Sequence, residues 1–151
     1  GEGVGRLLCI DATKEGDITK TGLIWDYKAI KRSISTVSID PEKGLLYIAD
    51  FSGFVHCLDA ETGKVNWVHD MQAHMWGSTF VADGKVYVGD EAGDFVILES
   101  PKEQKIIDEV NVGAPIFSTP IVANGLMYVA SQTHLFVVGE GVRPVDVQVK
   151  P

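Results

Sequence analysis

Acidic, histidine and aromatic residues recur at matching points of a repeated segment, and together they could hold a metal ion or a polar ligand. Asp50 and Asp90 each open an Asp-x-x-Gly segment, and Glu91 directly follows the second aspartate. Carboxylate oxygens are ligands for hard cations, and imidazole nitrogens are common ligands for transition metals. The candidates for such a ligand- or partner-binding site are Arg32, Asp50, His74, Trp76, Asp90, Glu91, Gln132 and His134.

These residues also have a simpler interpretation as turn formers, which we favour. Aspartate can hydrogen-bond to the backbone of its own turn, and glycine accepts the positive φ that such a turn requires. The histidines of the connections are then solvated, while His56 and His69 fall on predicted strands as packed or surface residues. The sequence contains no Ser-His-Asp order, nucleotide-binding loop or zinc-ligand spacing, so it predicts no catalytic residue and no metal site.

The elements that must position these residues are defined by the segment Leu45 to Trp67, LLYIADFSGFVHCLDAETGKVNW. Three runs rich in apolar residues, separated by turns at Asp50 and Asp59, predict three antiparallel strands. The first run and its turn recur forty residues later, at Val86-Tyr87-Val88-Gly89-Asp90. They recur again, after forty-one more residues, at Met127-Tyr128-Val129-Ala130-Ser131.

A Ser-Thr pair inside an apolar run precedes each of these segments and adds a fourth strand to the repeat. The pairs are Ser35-Thr36, Ser78-Thr79 and Ser118-Thr119. Four short strands, called A to D here in chain order, in a period of about forty residues are typical of a β-propeller blade. The sequence therefore predicts an all-β fold, a β-propeller of four-stranded antiparallel blades, without helices.

The repeats divide the chain into about three and a half blades of one propeller domain, with A strands predicted at Ile34–Asp40 and Ile116–Ala123. The predicted units are a half blade of strands C and D over 1–32, complete blades over 33–74 and 75–114, and a blade over 115–151, whose segment 142–151 is either a last strand or a loose tail. A closed propeller normally contains four to eight blades. We therefore expect either a fragment of a longer polypeptide or an arc completed by another chain, with a protein partner or self-association at its open ends.

Composition and charge exclude some classes of binding partner and say how the cysteines are used. The formal net charge is −8, and no basic patch stands out that could meet a phosphate backbone, which argues against nucleic acid as a partner. No apolar run approaches the length of a membrane span, and no signal peptide is present in a chain that opens at Gly1 without a methionine. Cys9 and Cys57 occupy equivalent strands of neighbouring repeats, too far apart for a disulfide, and are expected to be buried free thiols.

The segment Leu58-Asp59-Ala60-Glu61-Thr62-Gly63-Lys64-Val65-Asn66-Trp67 resembles the tryptophan-docking repeat of quinoprotein-type propellers. Ile10-Asp11-Ala12 and Thr21-Gly22-Leu23-Ile24-Trp25 form the same motif, split by an insertion. We expect these residues to be structural, because aspartate caps the turn, glycine supplies a left-handed residue, and tryptophan packs between blades. The structural set is Asp59, Thr62, Gly63, Trp67 and Trp25.

The resemblance implies several functions, since the family includes both enzymes and binding proteins. Its alcohol dehydrogenases bind pyrroloquinoline quinone with calcium and carry an adjacent cysteine pair, which this sequence lacks. Other members, such as the assembly lipoprotein of the Bam complex, bind no cofactor. The resemblance therefore implies a non-enzymatic binding scaffold outside the cytoplasm, without a cofactor. The alternatives are part of a quinone-dependent oxidoreductase, or a sensor module of a bacterial signalling protein.

Overall fold

A computed structural model describes residues 4–99, 102–141 and 143 of the chain. These residues form thirteen β-strands and no helix, so no helix in this part of the chain could cross a membrane. The strands are β1 Leu7–Ile10, β2 Leu23–Tyr27, β3 Ser38–Asp40, β4 Leu45–Ala49, β5 Phe54–Asp59, β6 Val65–Asp70, β7 Phe80–Ala82, β8 Lys85–Gly89, β9 Asp94–Glu99, β10 Ile106–Asn111, β11 Ile121–Ala123, β12 Leu126–Ala130 and β13 Leu135–Val138.

The strands form four antiparallel sheets in chain order, and we call them the half blade and the first, second and third blades. The half blade is β1–β2, the first blade β3–β6, the second β7–β10 and the third β11–β13. Consecutive strands are neighbours in every sheet, as the repeat predicts for blades. The prediction of an all-β fold of four-stranded antiparallel blades is confirmed. The alternatives of a last strand or a tail over 142–151 lie outside the described residues, apart from residue 143.

The A strands are shorter than predicted. The sequence placed them at Ile34–Asp40 and Ile116–Ala123, but only Ser38–Asp40 and Ile121–Ala123 pair with a neighbouring strand of their own sheet. The correction has a physical reason, because the Ser-Thr pairs bond to the next blade instead. The Thr36 N–H donates to Ser78 Oγ at 2.8 Å, and the Ser78 N–H donates to Thr119 Oγ1 at 2.8 Å.

The hydrophobic core lies between successive blades. Tyr47 and Val55 of the first blade are completely buried, as are Val86 and Leu98 of the second. Trp67, predicted to be a packing residue, is only 8% exposed, and its ring centroid lies 5.8 Å from that of Tyr47. The blades therefore stabilise one another, because the apolar face of each sheet is removed from water only by the neighbouring blade.

The predicted tryptophan-docking motif joins the half blade to the first blade. The partly buried Trp25 donates its indole N–H to the carbonyl oxygen of Ala60 at 3.1 Å. Gly63 has φ +69°, and a Cβ there would lie 2.6 Å from the Trp25 ring. Asp59 Oδ1 accepts hydrogen bonds from the N–H and the hydroxyl of Thr62, at 2.9 and 2.8 Å. The Thr62 bonds also lower the pKa of Asp59. The contacts of Trp25, Gly63 and Asp59 therefore hold the turn and the two sheets together, which is a structural role.

Strand pairing confirms the predicted equivalences of the repeats. Trp25 lies opposite Cys9 and Trp67 lies opposite Cys57, while Asp108 takes the corresponding place in the second blade. Both cysteines are free thiols, as predicted, although only Cys57 is fully buried. Burial raises the pKa of Cys57 to about 11, which keeps the thiol neutral and unreactive.

Candidate functional site

The B–C turns and the D–A connections lie on one face of the blade stack, where each turn contacts the connection before it. In each of the three repeats, the second residue after the B strand donates its N–H to a carbonyl of the preceding connection. The pairs are Phe51 to Arg32 at 2.7 Å, Glu91 to His74 at 2.9 Å and Gln132 to Pro115 at 2.8 Å. The turn needs glycine at this crossing, because a Cβ on Gly53 would lie 2.4 Å from the carbonyl oxygen of Ala73.

Four aromatic side chains form a continuous surface across this face, which we call the aromatic strip: Phe51, His74, Trp76 and Phe117. The rings of Phe51 and His74 stack, with centroids 4.8 Å apart and an interplanar angle of 12°. Trp76 makes edge contacts with Phe51 at 4.9 Å and with Phe117 at 5.8 Å. Trp76 is 44% exposed and Phe117 is 43% exposed, so the strip presents ring surface to solvent.

Charged residues fix the strip at two points. Arg32 Cζ lies 5.3 Å from the centroid of Phe51, in the arrangement of a cation–π contact. The indole N–H of Trp76 donates to Glu91 Oε2 at 2.7 Å, and His74 Nδ1 lies 3.0 Å from the carbonyl oxygen of Phe51. These bonds orient the aromatic rings before any partner binds, which lowers the entropy lost on binding.

Asp50, one of the eight candidates, lies in the interior of the turn and not on the surface of this face. Asp50 is completely buried and accepts hydrogen bonds within the protein. His56 Nε2 lies 3.0 Å from Asp50 Oδ2, and Tyr27 Oη lies 2.9 Å from His56 Nδ1. We call this arrangement the Tyr-His-Asp chain. It joins the half blade to the first blade and supports the turn interpretation of Asp50.

Asp90 is also completely buried, so it too lies inside its turn. The Asp94 N–H donates to Asp90 Oδ1 at 2.9 Å, matching the bond from Phe54 to Asp50 Oδ1 at 3.2 Å. Asp90 Oδ2 has no hydrogen-bond partner among the described residues. Val96 stands where the first blade has His56, which explains the missing donor. Burial raises the pKa of Asp90.

Of the eight candidates, the structure brings together Arg32, His74, Trp76 and Glu91. Gln132 and His134 lie exposed on the third B–C turn, where the Thr133 hydroxyl is 2.8 Å from His134 Nδ1. Within the described part, no hydrogen bond or ring contact joins either side chain to the strip. The sequence reasoning missed Phe51 and Phe117, because a single aromatic residue in a turn or strand looks like ordinary packing. The repeat gave no signal either, because Glu91 and Gln132 stand at the position of Phe51 and Gly77 stands at that of Phe117.

A shallow cleft of about 360 Å³ adjoins the aromatic strip. Its lining residues are Ser52, Gln72, Ala73, His74, Glu91 and Ala92. The cleft provides a place for a side chain of a bound partner next to Trp76, since Glu91 and His74 belong to both features. In chemical terms the surface offers stacking, one carboxylate and one guanidinium, a set suited to recognition of a peptide.

The residues of this face do not fit a calcium–quinone centre. No three His, Cys, Asp or Glu side chains within the described residues are grouped so that they could hold a metal ion. The two cysteines lie on different blades, and Asp50 already bonds to His56. No catalytic step through such a group is derived for this face.

The fold and its repeats define a partial β-propeller of the quinoprotein-like class. A family profile described as outer membrane protein assembly factor BamB matches residues 5–104 and, in a second alignment, residues 52–148. The chain belongs to this family. A comparison with curated proteins gives no significant match.

Solved structures of the same class share the fold. BamB from Moraxella catarrhalis has a TM-score of 0.64 and 19% identity, over 80% of this chain and 35% of that chain. The dihydro-heme d1 dehydrogenase NirN has a TM-score of 0.65 and 16% identity, over 82% of this chain and 28% of that one. A quinohemoprotein alcohol dehydrogenase from Comamonas testosteroni has a TM-score of 0.56 and 22% identity, over 64% and 17%. This chain thus spans between 17% and 35% of the length of these proteins.

Proposed function

We propose that this chain is part of a non-enzymatic β-propeller scaffold that binds a protein partner through the aromatic strip. The observation that carries the proposal is the alignment of four rings across three successive repeats, with Trp76 and Phe117 nearly half exposed. Trp, Tyr and Arg are the residue types that most often dominate the binding energy of protein interfaces. Here Trp76 and Arg32 occupy the same surface.

Membership of the family of an outer-membrane assembly factor supports this proposal. An assembly factor acts by contact with other proteins, so a surface of oriented aromatic rings suits such a role. By the same analogy, we propose an extracytoplasmic location for the parent protein. The dehydrogenases of the same fold class support the fold alone, because their identity to this chain is at most 23%.

The proposal is tested by selecting a random peptide library on the immobilised chain. Peptides that bind the wild-type chain are expected to lose binding to the Trp76→Ala/Phe117→Ala variant. The matched control is Val68→Ala, which removes a 42% exposed apolar side chain from the outer strand of the first blade. Thermal melting checks that both variants are folded. If the selected peptides bind Trp76→Ala/Phe117→Ala as tightly as they bind Val68→Ala, the strip is not the binding surface.

The cofactor question has its own test. We propose that this chain binds pyrroloquinoline quinone weakly or not at all, because the described residues do not assemble a metal-binding group. Titration calorimetry with calcium present is expected to give no submicromolar dissociation constant. Tight binding would instead favour the oxidoreductase alternative.

A further inference from the structure

The Phe51 end of the aromatic strip carries two basic side chains that form no ion pair within the described residues. Lys31 and Arg32 are both exposed there. Neither takes part in an ion pair in the described part, whereas Arg6 and Lys28 both pair with Asp26. In a chain of formal net charge −8, this end is a local exception, suited to a carboxylate from outside.

A cleft of about 260 Å³ opens beside the same end of the strip. Arg6, Lys31 and Arg32 contribute its basic side chains, and the buried Ile30 and Ile48 contribute apolar surface. Arg32 belongs both to this cleft and to the cation–π contact with Phe51. A ligand that runs along the strip therefore reaches the basic cleft without a gap.

The opposite end of the strip is apolar. Glu91 already accepts the indole N–H of Trp76, and beyond Trp76 the exposed ring of Phe117 ends the strip. Successive ring centroids along the strip from Phe51 through Trp76 to Phe117 lie 4.9 and 5.8 Å apart. With Arg32 at one end, this is the reach of about four or five extended residues, at roughly 3.3 Å for each residue.

We propose that the strip binds an extended segment of a partner protein with an acidic residue at one end, seated at Arg32, followed by proline and aromatic residues. Aromatic surfaces recognise proline-containing segments, because such segments are already extended and lose little entropy on binding. The carboxylate fixes the direction of the segment, since Arg32 can bind it through two parallel hydrogen bonds. This inference rests on the proposed function and names the partner chemistry of the same surface.

Three labelled peptides of equal length test the proposal by fluorescence anisotropy. The first carries two glutamates followed by alternating prolines and tryptophans, the second has lysines in place of the glutamates, and the third keeps the glutamates with serine elsewhere. The wild-type chain is expected to prefer the first peptide over the second by about tenfold in Kd. The third peptide is expected to bind more weakly than the first, because it lacks the rings that stack on the strip.

Charge reversal provides the decisive variant. Lys31→Glu/Arg32→Glu is expected to prefer the lysine peptide, and Arg32→Gln is expected to lose the preference without reversing it. The matched control is Lys20→Glu/Lys64→Glu, which changes the net charge equally at two exposed sites and is expected to keep the original preference. The preference of the wild-type chain is also expected to shrink as salt is added.

Three outcomes would overturn this inference, and they differ in what they leave standing. If the wild-type chain binds none of the three peptides, while library peptides still depend on Trp76, the proposed function holds and the assigned occupant is wrong. If the glutamate and lysine peptides bind equally, or if reversal of Lys31 and Arg32 leaves the preference unchanged, charge recognition at Arg32 is refuted. Equal binding of the first and third peptides would mean that the basic cleft simply binds anionic groups.

Discussion

At the scale of single residues, two equivalent aspartates have opposite environments. Both Asp50 and Asp90 are completely buried at the start of a B–C turn. Asp50 Oδ2 lies 3.0 Å from His56 Nε2 and accepts the Lys31 N–H at 3.2 Å. The matching oxygen of Asp90 has no partner in the described part of the chain. The two equivalent positions therefore differ in one respect: Oδ2 is hydrogen-bonded at Asp50 and has no hydrogen-bond partner among the described residues at Asp90.

We expect Asp50→Asn to destabilise the protein by about 2 kcal/mol, because hydrogen bonds to a buried charged group contribute roughly 1.5–3 kcal/mol. Asp90→Asn is expected to stay within about 0.5 kcal/mol of the wild type, or to be more stable, because no donor to Oδ2 is lost. Urea unfolding at neutral pH measures both free energies. Equal destabilisation by the two substitutions would contradict this account of the two sites.

The pH dependence of Asp90 follows from the same burial. Its pKa is raised in the folded state above the ordinary 3.8, so the folded protein holds this proton more tightly than the unfolded chain. The protonated carboxyl thus favours folding fully below about pH 4, and this contribution is lost as the pH rises through the raised pKa. Relative to Asp90→Asn, the wild type is therefore expected to lose stability between about pH 4 and pH 7.

Unfolding free energies across this pH range provide the measurement. Asp83→Asn is the control, because it makes the same substitution at a side chain that is 91% exposed. A difference between wild type and Asp90→Asn that stays constant with pH would contradict the expected titration.

At the scale of elements, the docking of one blade on the next depends on small residues at fixed places. Gly63 and Gly44 both have positive φ, +69° and +64°. They differ in surroundings, since a Cβ at Gly63 would meet the Trp25 ring, whereas nothing lies within 4 Å of a Cβ at Gly44. An alanine at Gly44 therefore adds backbone strain alone, whereas an alanine at Gly63 adds backbone strain and a clash with Trp25.

We expect Gly44→Ala to cost about 1 kcal/mol, the strain of a left-handed residue that carries a side chain. Gly63→Ala is expected to cost a further 1–3 kcal/mol or so, because it forces the Trp25 ring away from its seat. Denaturant midpoints measure the difference, and the tryptophan emission of Gly63→Ala should shift toward that of an exposed indole. Equal costs for the two substitutions would show that Trp25 adds little to the blade contact.

The strand order could be predicted from the sequence because each turn carries its own signal. Asp50-x-x-Gly53 and Asp59-x-x-x-Gly63 mark both ends of β5, and the repeat copies the pattern along the chain. The shortened A strands could not be predicted, because the Ser-Thr pairs look like strand residues until the neighbouring blade supplies their partners. The Tyr-His-Asp chain could not be predicted for the same reason, since Tyr27 and His56 belong to different blades and no local sequence pattern joins them.

The candidate surface could be predicted only in part. The sequence analysis grouped Arg32, His74, Trp76 and Glu91 with four other candidates from their matching places in the repeat. Their mutual contacts pass through Phe51, whose position in the turn gave no signal. Recognition surfaces made of scattered rings depend on the curvature of the blade stack, and curvature is a property of inter-blade packing rather than of local sequence.

At the scale of the whole molecule, the blade stack has apolar surface on its two outer sides. On the third blade, Leu135 is 63% exposed and Ile121 55%, on the face opposite to the one that packs against the second blade. On the half blade, Ile24 is 56% exposed and Leu8 45%, again on the face that points away from the first blade. In the interior of the stack, the corresponding faces are covered by the next blade, which suggests that these outer faces also receive a partner surface.

We expect the 151-residue chain to associate in solution through these faces, because exposed apolar surface is stabilised by about 25 cal/mol for each Å² removed from water. Size-exclusion chromatography with light scattering should give a mass above the 16.4 kDa of one chain. Ile121→Lys/Leu135→Lys is expected to return the mass toward that of the monomer, since a buried unpaired lysine opposes association. Val65→Lys/Val68→Lys, on the outer strand of the first blade, is the matched control and should leave association intact. A wild-type chain that runs as a 16.4 kDa monomer and melts cooperatively would show that the outer faces need no partner.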